Sequence, residues 1–309
     1  MTRIVRIGTR RSRLSHWQAR HVAELLTQLH AGIGIEIREY STRGDQLLDQ
    51  PLPAIGGKGL FTQALEQALL QGEIDCAVHS LKDLPVEHPP GLALAAIPKR
   101  GDHRDALVSN RGESLAELPT GARIGTSSPR RRAQLLALRS DLHVLDIRGN
   151  VPTRLKKLRA TGGYDALALA LAGLQRLGLA WRISQVFNEA QLLCAAGQGA
   201  LAVQCRAEDS DFFSALTHLP SALAVAAERA FLRGLNAGCS LPVGAYAAVH
   251  DGNLSLQAAV MSLDGRAQIQ LRRQAASPLR NESLAAAVAL GEALASEALA
   301  KGADELLGA

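Results

Sequence analysis

Arg123-Ile124-Gly125-Thr126-Ser127-Ser128-Pro129-Arg130-Arg131 restarts, in the second quarter of the chain, a pattern first met at Arg6-Ile7-Gly8-Thr9-Arg10-Arg11-Ser12. In both places a short apolar run gives way to a polar, basic loop. A helix-period stretch follows, through Trp17, Val22, Leu25, Leu26 and Leu29 in the first copy and Leu135, Leu136 and Leu138 in the second. A strand, loop and helix used twice predicts two similar α/β domains with mostly parallel sheets.

Around the first copy, Ile33 to Ser41 reads as a strand, Leu60 to Leu70 as a helix closed by Gly72, and Asp75 to His79 as a strand ending at Ser80-Leu81-Lys82-Asp83-Leu84-Pro85. Around the second, His143 to Ile147 and Asp165 to Ala170 are strands. Asn150 is placed as the N-cap of a helix with Pro152 in its first turn. The last third differs. After a helix introduced by Pro220-Ser221, three alternating runs are separated by Asp251-Gly252 and Asp264-Gly265, each a hairpin signal. An Ala/Leu-rich helix from Ser283 to Lys301, stopped by Gly302, is expected to cover one face of that meander. The third domain is thus a small α+β unit with a three-stranded antiparallel sheet.

At 309 residues the chain exceeds what one core usually serves. Hydrophobic residues at 47% and charged residues at 20% are ordinary globular values. No apolar run approaches the roughly 20 residues of a membrane span. The N-terminus runs into strand-like sequence without the apolar core of a secretory signal, so a cytoplasmic protein that uses no membrane is expected. A net charge of +5 admits nucleic acid or an acidic small molecule. Aromatic residues at 3% leave few platforms for base stacking, which disfavours nucleic acid.

The position of the basic residues narrows the field. Arg10, Arg11, Lys58, Lys82, Arg130 to Arg132, Arg148 and Arg154 are read as lying in loops after strands, where ligands of open α/β sheets gather. Ser12, Ser80, Thr126, Ser127 and Ser128 add donors, and helix N-termini favour anions. Arginine forks suit carboxylates, and phosphates equally. Asp83 among these cations can balance charge or exchange a proton; its alternative is a turn aspartate before Pro85. Gly56-Gly57-Lys58-Gly59 is neither a Walker A nor a dinucleotide fingerprint, and residues 44–60 are a candidate lid.

Four cysteines, Cys76, Cys194, Cys205 and Cys239, match neither a redox pair nor a zinc pattern, and no metal is expected. Cys76, Cys194 and Cys205 sit in or beside apolar runs. Cys239 lies in the loop Ala237-Gly238-Cys239-Ser240-Leu241-Pro242, where either a reactive or a structural thiol is compatible with the sequence.

Taken in order, Gly8-Thr9-Arg10-Arg11-Ser12, Thr42-Arg43-Gly44-Asp45, Gly56 to Phe61, His79 to Pro85, Gly125 to Arg131, Arg148 to Arg154, Gly197-Gln198-Gly199 and Gly238-Cys239 resemble the porphobilinogen deaminase family over essentially the whole chain from Ile4. The resemblance implies a periplasmic-binding-protein-like pair of α/β domains plus a third. Domain 1 would comprise 1–99 and 197–218, domain 2 104–194, and domain 3 221–309. It implies condensation of four porphobilinogen units, with loss of ammonia, on a dipyrromethane cofactor held by a thioether to Cys239. Asp83 matches the catalytic aspartate. Arg10, Ser12, Lys58, Ser80, Lys82, Thr126, Ser128, Arg130, Arg131, Arg148 and Arg154 match positions that bind cofactor or substrate, and a monomer is expected. Two departures stand out: Ala237 replaces a family glycine, which would cost about 1 kcal/mol if a left-handed backbone were needed there, and Pro129 replaces a leucine. The rival of another class is a hinged, non-catalytic anion-binding protein.

Overall fold

The computed structural model describes residues 3–42, 62–160, 163–238, 241–275 and 284–308. The first sheet is built from β1 (Ile4–Arg10), β2 (Gly34–Tyr40), β3 (Cys76–Ser80) and β4 (Leu92–Ala96), with α1 (Arg13–Leu29) after β1 and α2 (Gln63–Leu70) before β3. The second contains β5 (Asp105–Ser109), β6 (Arg123–Gly125), β7 (His143–Leu145), β8 (Ala166–Ala170) and β9 (Gln185–Val186), with α3 (Pro129–Leu138), α4 (Val151–Arg159) and α5 (Leu171–Arg176). The chain then returns to the first sheet as β10 (Leu201–Arg206). Strand orders are β2-β1-β3-β10-β4 and β7-β6-β8-β5-β9. In each sheet the strand that arrives from the other unit, β10 or β5, is the one set antiparallel. Mostly parallel sheets are therefore the right description.

The repeated Arg-Ile-Gly-Thr now has a physical reason. Arg6 and Arg123 each donate a backbone N–H and a guanidinium to the aspartate that opens the next central strand, Asp75 (2.7 Å from the amide) and Asp165 (2.7 Å) respectively. Ile7 and Ile124 are fully buried. A Cβ on Gly8 would stand 2.3 Å from the Ile74 side chain, and one on Gly125 2.6 Å from Leu167, so a larger residue at either place would force those buried side chains to shift. Thr9 and Thr126 end buried. One expectation needs correction: β1 runs on through Arg10, which pairs with Tyr40, so Gly8 to Arg10 is strand rather than loop.

α1 starts where Ser12 Oγ accepts the Ser15 amide, and it buries Ala19, Val22 and Leu26. Trp17 and Leu29 instead stay partly exposed. α4 begins at Asn150, whose side chain accepts the Thr153 amide, with proline in its first turn.

The two crossovers between the α/β units touch backbone to backbone, with the Gly101 amide donating to Gly199 O at 3.1 Å. Gly199 has φ +86°, and a Cβ there would lie 2.6 Å from Gly101 O. The C-terminal elements close over this junction. After α6 (Ser210–Ser214), α7 (Leu219–Gly234) leads to β11 (Val243–His250), β12 (Asn253–Met261) and β13 (Gln268–Gln274), an antiparallel sheet in that order, and then to α8 (Leu284–Ala300) and α9 (Ala303–Leu307). Phe231 of α7 and Leu294 of α8 pack with Leu254 and Leu256 on one face of the sheet. Asp251 and Gly252 both take left-handed conformations, as a two-residue type I′ turn demands. Glu228 of α7 is fully buried, accepts the Gly197 and Ala247 amides and pairs with Arg100 at 2.6 Å, so one carboxylate joins both crossovers to β11.

The loop after α7 does not meet the condition under which Ala237 would be strained. The left-handed residue there is Asn236 (φ 49°); apart from Asp251, no other described non-glycine residue has positive φ, so Ala237 is unstrained.

Candidate active site

β3 ends at Ser80, and the chain turns at once through a single 3₁₀ turn, Leu81–Asp83. Leu81 and Leu84 are buried on either side of it, which leaves Lys82 and Asp83 to project from a fixed base. Arg229 of α7 fastens the exit of the turn by donating to Leu84 O, Pro85 O and Val86 O. On the other side Ser80 Oγ accepts Gln18 Nε2 at 2.8 Å, tying the turn to α1.

Asp83 is exposed. Lys82 Nζ reaches Gln198 Oε1 at 3.1 Å, and burial, then Arg131, pushes its ammonium down to about 8. Gln198 is itself fully buried and donates through Nε2 to His103 O (2.7 Å) and Asp105 Oδ1 (2.8 Å). Thus Lys82 of the first unit is linked by one amide to Asp105 of the second.

Asp105 is the first residue of β5 and fully buried. Arg130 donates to its Oδ2 at 2.7 Å, and Arg131 to its Oδ1 at 3.0 and 2.7 Å. Burial alone would raise this carboxyl; the two guanidinium groups hold it far below the carboxylate range. Arg130 also bonds Leu193 O (2.6 Å) and Arg131 bonds Ala168 O (3.2 Å). These arginines stand in the first turn of α3, where Ser128 is the N-cap and Pro129 fits the first helical position. Arg154 likewise lies within α4, not in a loop, and its Nε donates to Gly149 O at 2.8 Å. Burial, then Arg131 and Arg148, lowers its guanidinium to about 10, with Asp83 acting in the opposite sense.

Lys82, Arg130, Arg131, Arg148 and Arg154 thus act on one another electrostatically, against Asp83 and Asp105. Five cations with two acids in a partly desolvated space form a site for an anion, because cations in low dielectric need counter-charge. Arg130 Nε is buried without a hydrogen-bond partner. Arg10, at the end of β1, is near enough to act on His79. Ser12 and Ser128 accept helix amides as N-caps through their hydroxyl oxygens, and Thr126 is buried with Oγ1 accepting the Ser128 amide. Lys58, the candidate lid 44–60 and Cys239 lie outside the described residues. Cys76, Cys194 and Cys205 are buried, with burial pushing Cys194 up to about 12 and Cys205 up to about 11. Asp105 and Gln18 do not stand out in the sequence, and Gln198 appears there only as the middle of Gly197-Gln198-Gly199, with no role attached. Asp105 carries one usable signal there, an acid that directly follows Arg104 and opens the apolar stretch Ala106 to Val108.

Two α/β units that share buried cations across their junction define a protein that binds a small polyanion. Residues 5–214 match the family described as porphobilinogen deaminase, dipyromethane cofactor binding domain, and residues 222–300 match its C-terminal domain. The chain is 47% identical to a porphobilinogen deaminase of Syntrophotalea carbinolica over 312 residues, covering 99% of this chain and 95% of that one. It is 50% identical to one of Stenotrophomonas maltophilia, over 98% of each. A solved structure, the periplasmic aliphatic sulphonate binding protein SsuA from Escherichia coli, aligns at 16% identity with TM-score 0.39, over 76% of this chain and 71% of that one. The chain belongs to the porphobilinogen deaminase family. It is a deaminating transferase of tetrapyrrole synthesis that works on a dipyrromethane cofactor and condenses four porphobilinogen units to 1-hydroxymethylbilane.

Proposed function

We propose that Cys239 holds the dipyrromethane cofactor by a thioether and that Asp83 is the group that manages charge and protons where pyrroles are joined. The single observation that carries this reading is the exposed Asp83 carboxylate, set on a braced turn beside an excess of buried cations. Their chemistry fits a group bearing several carboxylates. When bound, the cofactor supplies the free pyrrole α-carbon to which the first unit is joined.

Lys82, Arg148 and Arg154, with Arg10, Ser12, Ser80, Thr126 and Ser128, receive acetate and propionate arms, and Lys58 is assigned to the same role from the family motif alone. Arg130 and Arg131 contribute mainly the field they create with Asp105, since most of their donors are used internally. As the aminomethyl nitrogen of porphobilinogen leaves as ammonia, positive charge spreads over the ring. A carboxylate at the place of Asp83 balances that charge and accepts the pyrrole N–H. The three domains are 1–99 with 197–218, 104–194 and 221–309, and the enzyme acts as a cytoplasmic monomer without nucleic acid. Lys82 and the buried Arg130 and Arg131 gather beside the two crossovers, and no described helix is long and apolar enough to cross a membrane.

Asp83→Asn keeps the turn and removes the charge. It is expected to retain cofactor mass while turnover falls by roughly 10²-fold or more, the range for loss of a positioned proton-transfer group. Turnover equal to wild type would remove Asp83 from the chemistry.

A further inference from the structure

On α1, a stripe turned away from the first sheet carries unpaired charge. Arg13, Trp17 and Arg20 lie along one side of the helix, and Arg11 stands just before its Ser12 cap. Arg11, Arg13 and Arg20 make no ion pair with any described residue. Together with His16, Trp17 and Arg176 of α5 they line a cavity of about 380 Å³, within the range that holds a small organic ligand. His16 of this lining is paired with Glu39 of β2 at 3.0 Å.

This arrangement costs stability. The first turn of α1 contains no acid, and Arg11 and Arg13 sit at the positive end of its dipole, where cations are disfavoured. Four arginines around one cavity repel each other until an anion enters. The cavity also adjoins the cleft: Ser12 lies between Arg11 and Arg13, and Arg176 donates to Gly199 O at 2.6 Å, one residue from the Gln198 that bonds Lys82. Arg176 is further fixed over the Trp17 ring at 5.5 Å, so the far wall belongs to the second unit.

We infer that this cavity is a capture site at the mouth of the cleft, where the two carboxylates of an incoming porphobilinogen are held before entry. The inference rests on the reading of the cleft given above. It assigns Arg13 and Arg20 to substrate delivery rather than to the joining reaction. Their removal acts on KM and on salt sensitivity and leaves kcat alone, because steering by a cluster of cations is screened by salt.

The test is steady-state kinetics of the Arg13→Ala/Arg20→Ala variant, loaded with its cofactor, across a salt series. The expected result is an unchanged kcat, a KM for porphobilinogen raised roughly tenfold at low salt, and a flatter fall of kcat/KM with salt. The melting temperature should hold or rise, which a merely structural role for these arginines would not give. A loaded, active wild type whose KM and salt dependence match the variant's overturns the capture site alone. The capture site is equally overturned if inorganic phosphate stabilises wild type but not the variant while both share one KM, since the cavity is then a general anion site. A wild type without cofactor mass and turnover sinks the reading of the cleft as well.

Discussion

Asp105 shows how much a single buried carboxylate can organise. It neutralises part of Arg130 and Arg131, fixes the first turn of α3 and, through Gln198, reaches Lys82 on the other side of the junction. Removing one partner of such a buried set leaves uncompensated charge, so Asp105→Ala is expected to lower stability by roughly 3–5 kcal/mol, read from denaturant unfolding. His79 supplies a pH-dependent term. Burial lowers its imidazole from 6.5 to about 4, and its Nε2 meets Gln204 at 3.1 Å. With the folded value depressed, this contribution is complete above pH 6.5 and is lost as pH falls from there toward 4, up to about 3 kcal/mol. His79→Gln should flatten the melting temperature over that window; an unaltered slope would reject the assignment. At this scale the sequence exposes Asp83 and the cationic set, because charge type and clustering are visible in a string. It hides Asp105 and Gln198, whose roles exist only once β5 and the second crossover meet.

At the scale of elements, local chemistry is most legible where a residue type is forced. Asp251-Gly252 marks its turn, Asn150 and Pro152 mark a helix start, and the Arg-Ile-Gly-Thr echo marks two equivalent strands. Strands β4, β5 and β10 are not legible as strands. Each is a short run without alternation, β5 and β10 almost wholly buried and β4 partly so, which periodicity alone does not separate from other buried segments. The sequence groups Arg130 to Arg132 and Arg154 with loop residues by their basic character, whereas they lie inside helices that open at Pro129 and at Val151, the second capped by the Asn150 that the sequence marks. The crossovers carry the next prediction. At Gly199 an alanine must adopt a left-handed backbone and place its Cβ against Gly101 O and Asp102 O. Gly199→Ala should cost at least about 1–2 kcal/mol and reduce the melting temperature. Ala237→Gly, at a position without positive φ, should bring no gain from relieved strain; a higher melting temperature would contradict the unstrained backbone seen there.

Across the whole molecule, two α/β units and a C-terminal sheet meet at Arg100, Gly197 and Glu228, and the cationic cleft opens beside that meeting point. The fold class is readable in the sequence because alternation of strands and helices, then a run of hairpins, is a coarse pattern that tolerates errors in individual boundaries. Which ligand the cleft takes is not legible from the charges, since arginines serve phosphate and carboxylate alike; the ordered motifs of the family supply that. The central claim is a covalent primer on Cys239, and the intact mass of the purified protein, beside a Cys239→Ser variant made identically, tests it most directly. An excess equal to one dipyrromethane is expected on the wild type and none on the variant. A wild type at its bare sequence mass, unchanged after incubation with porphobilinogen, or an equal excess on both proteins, would contradict it.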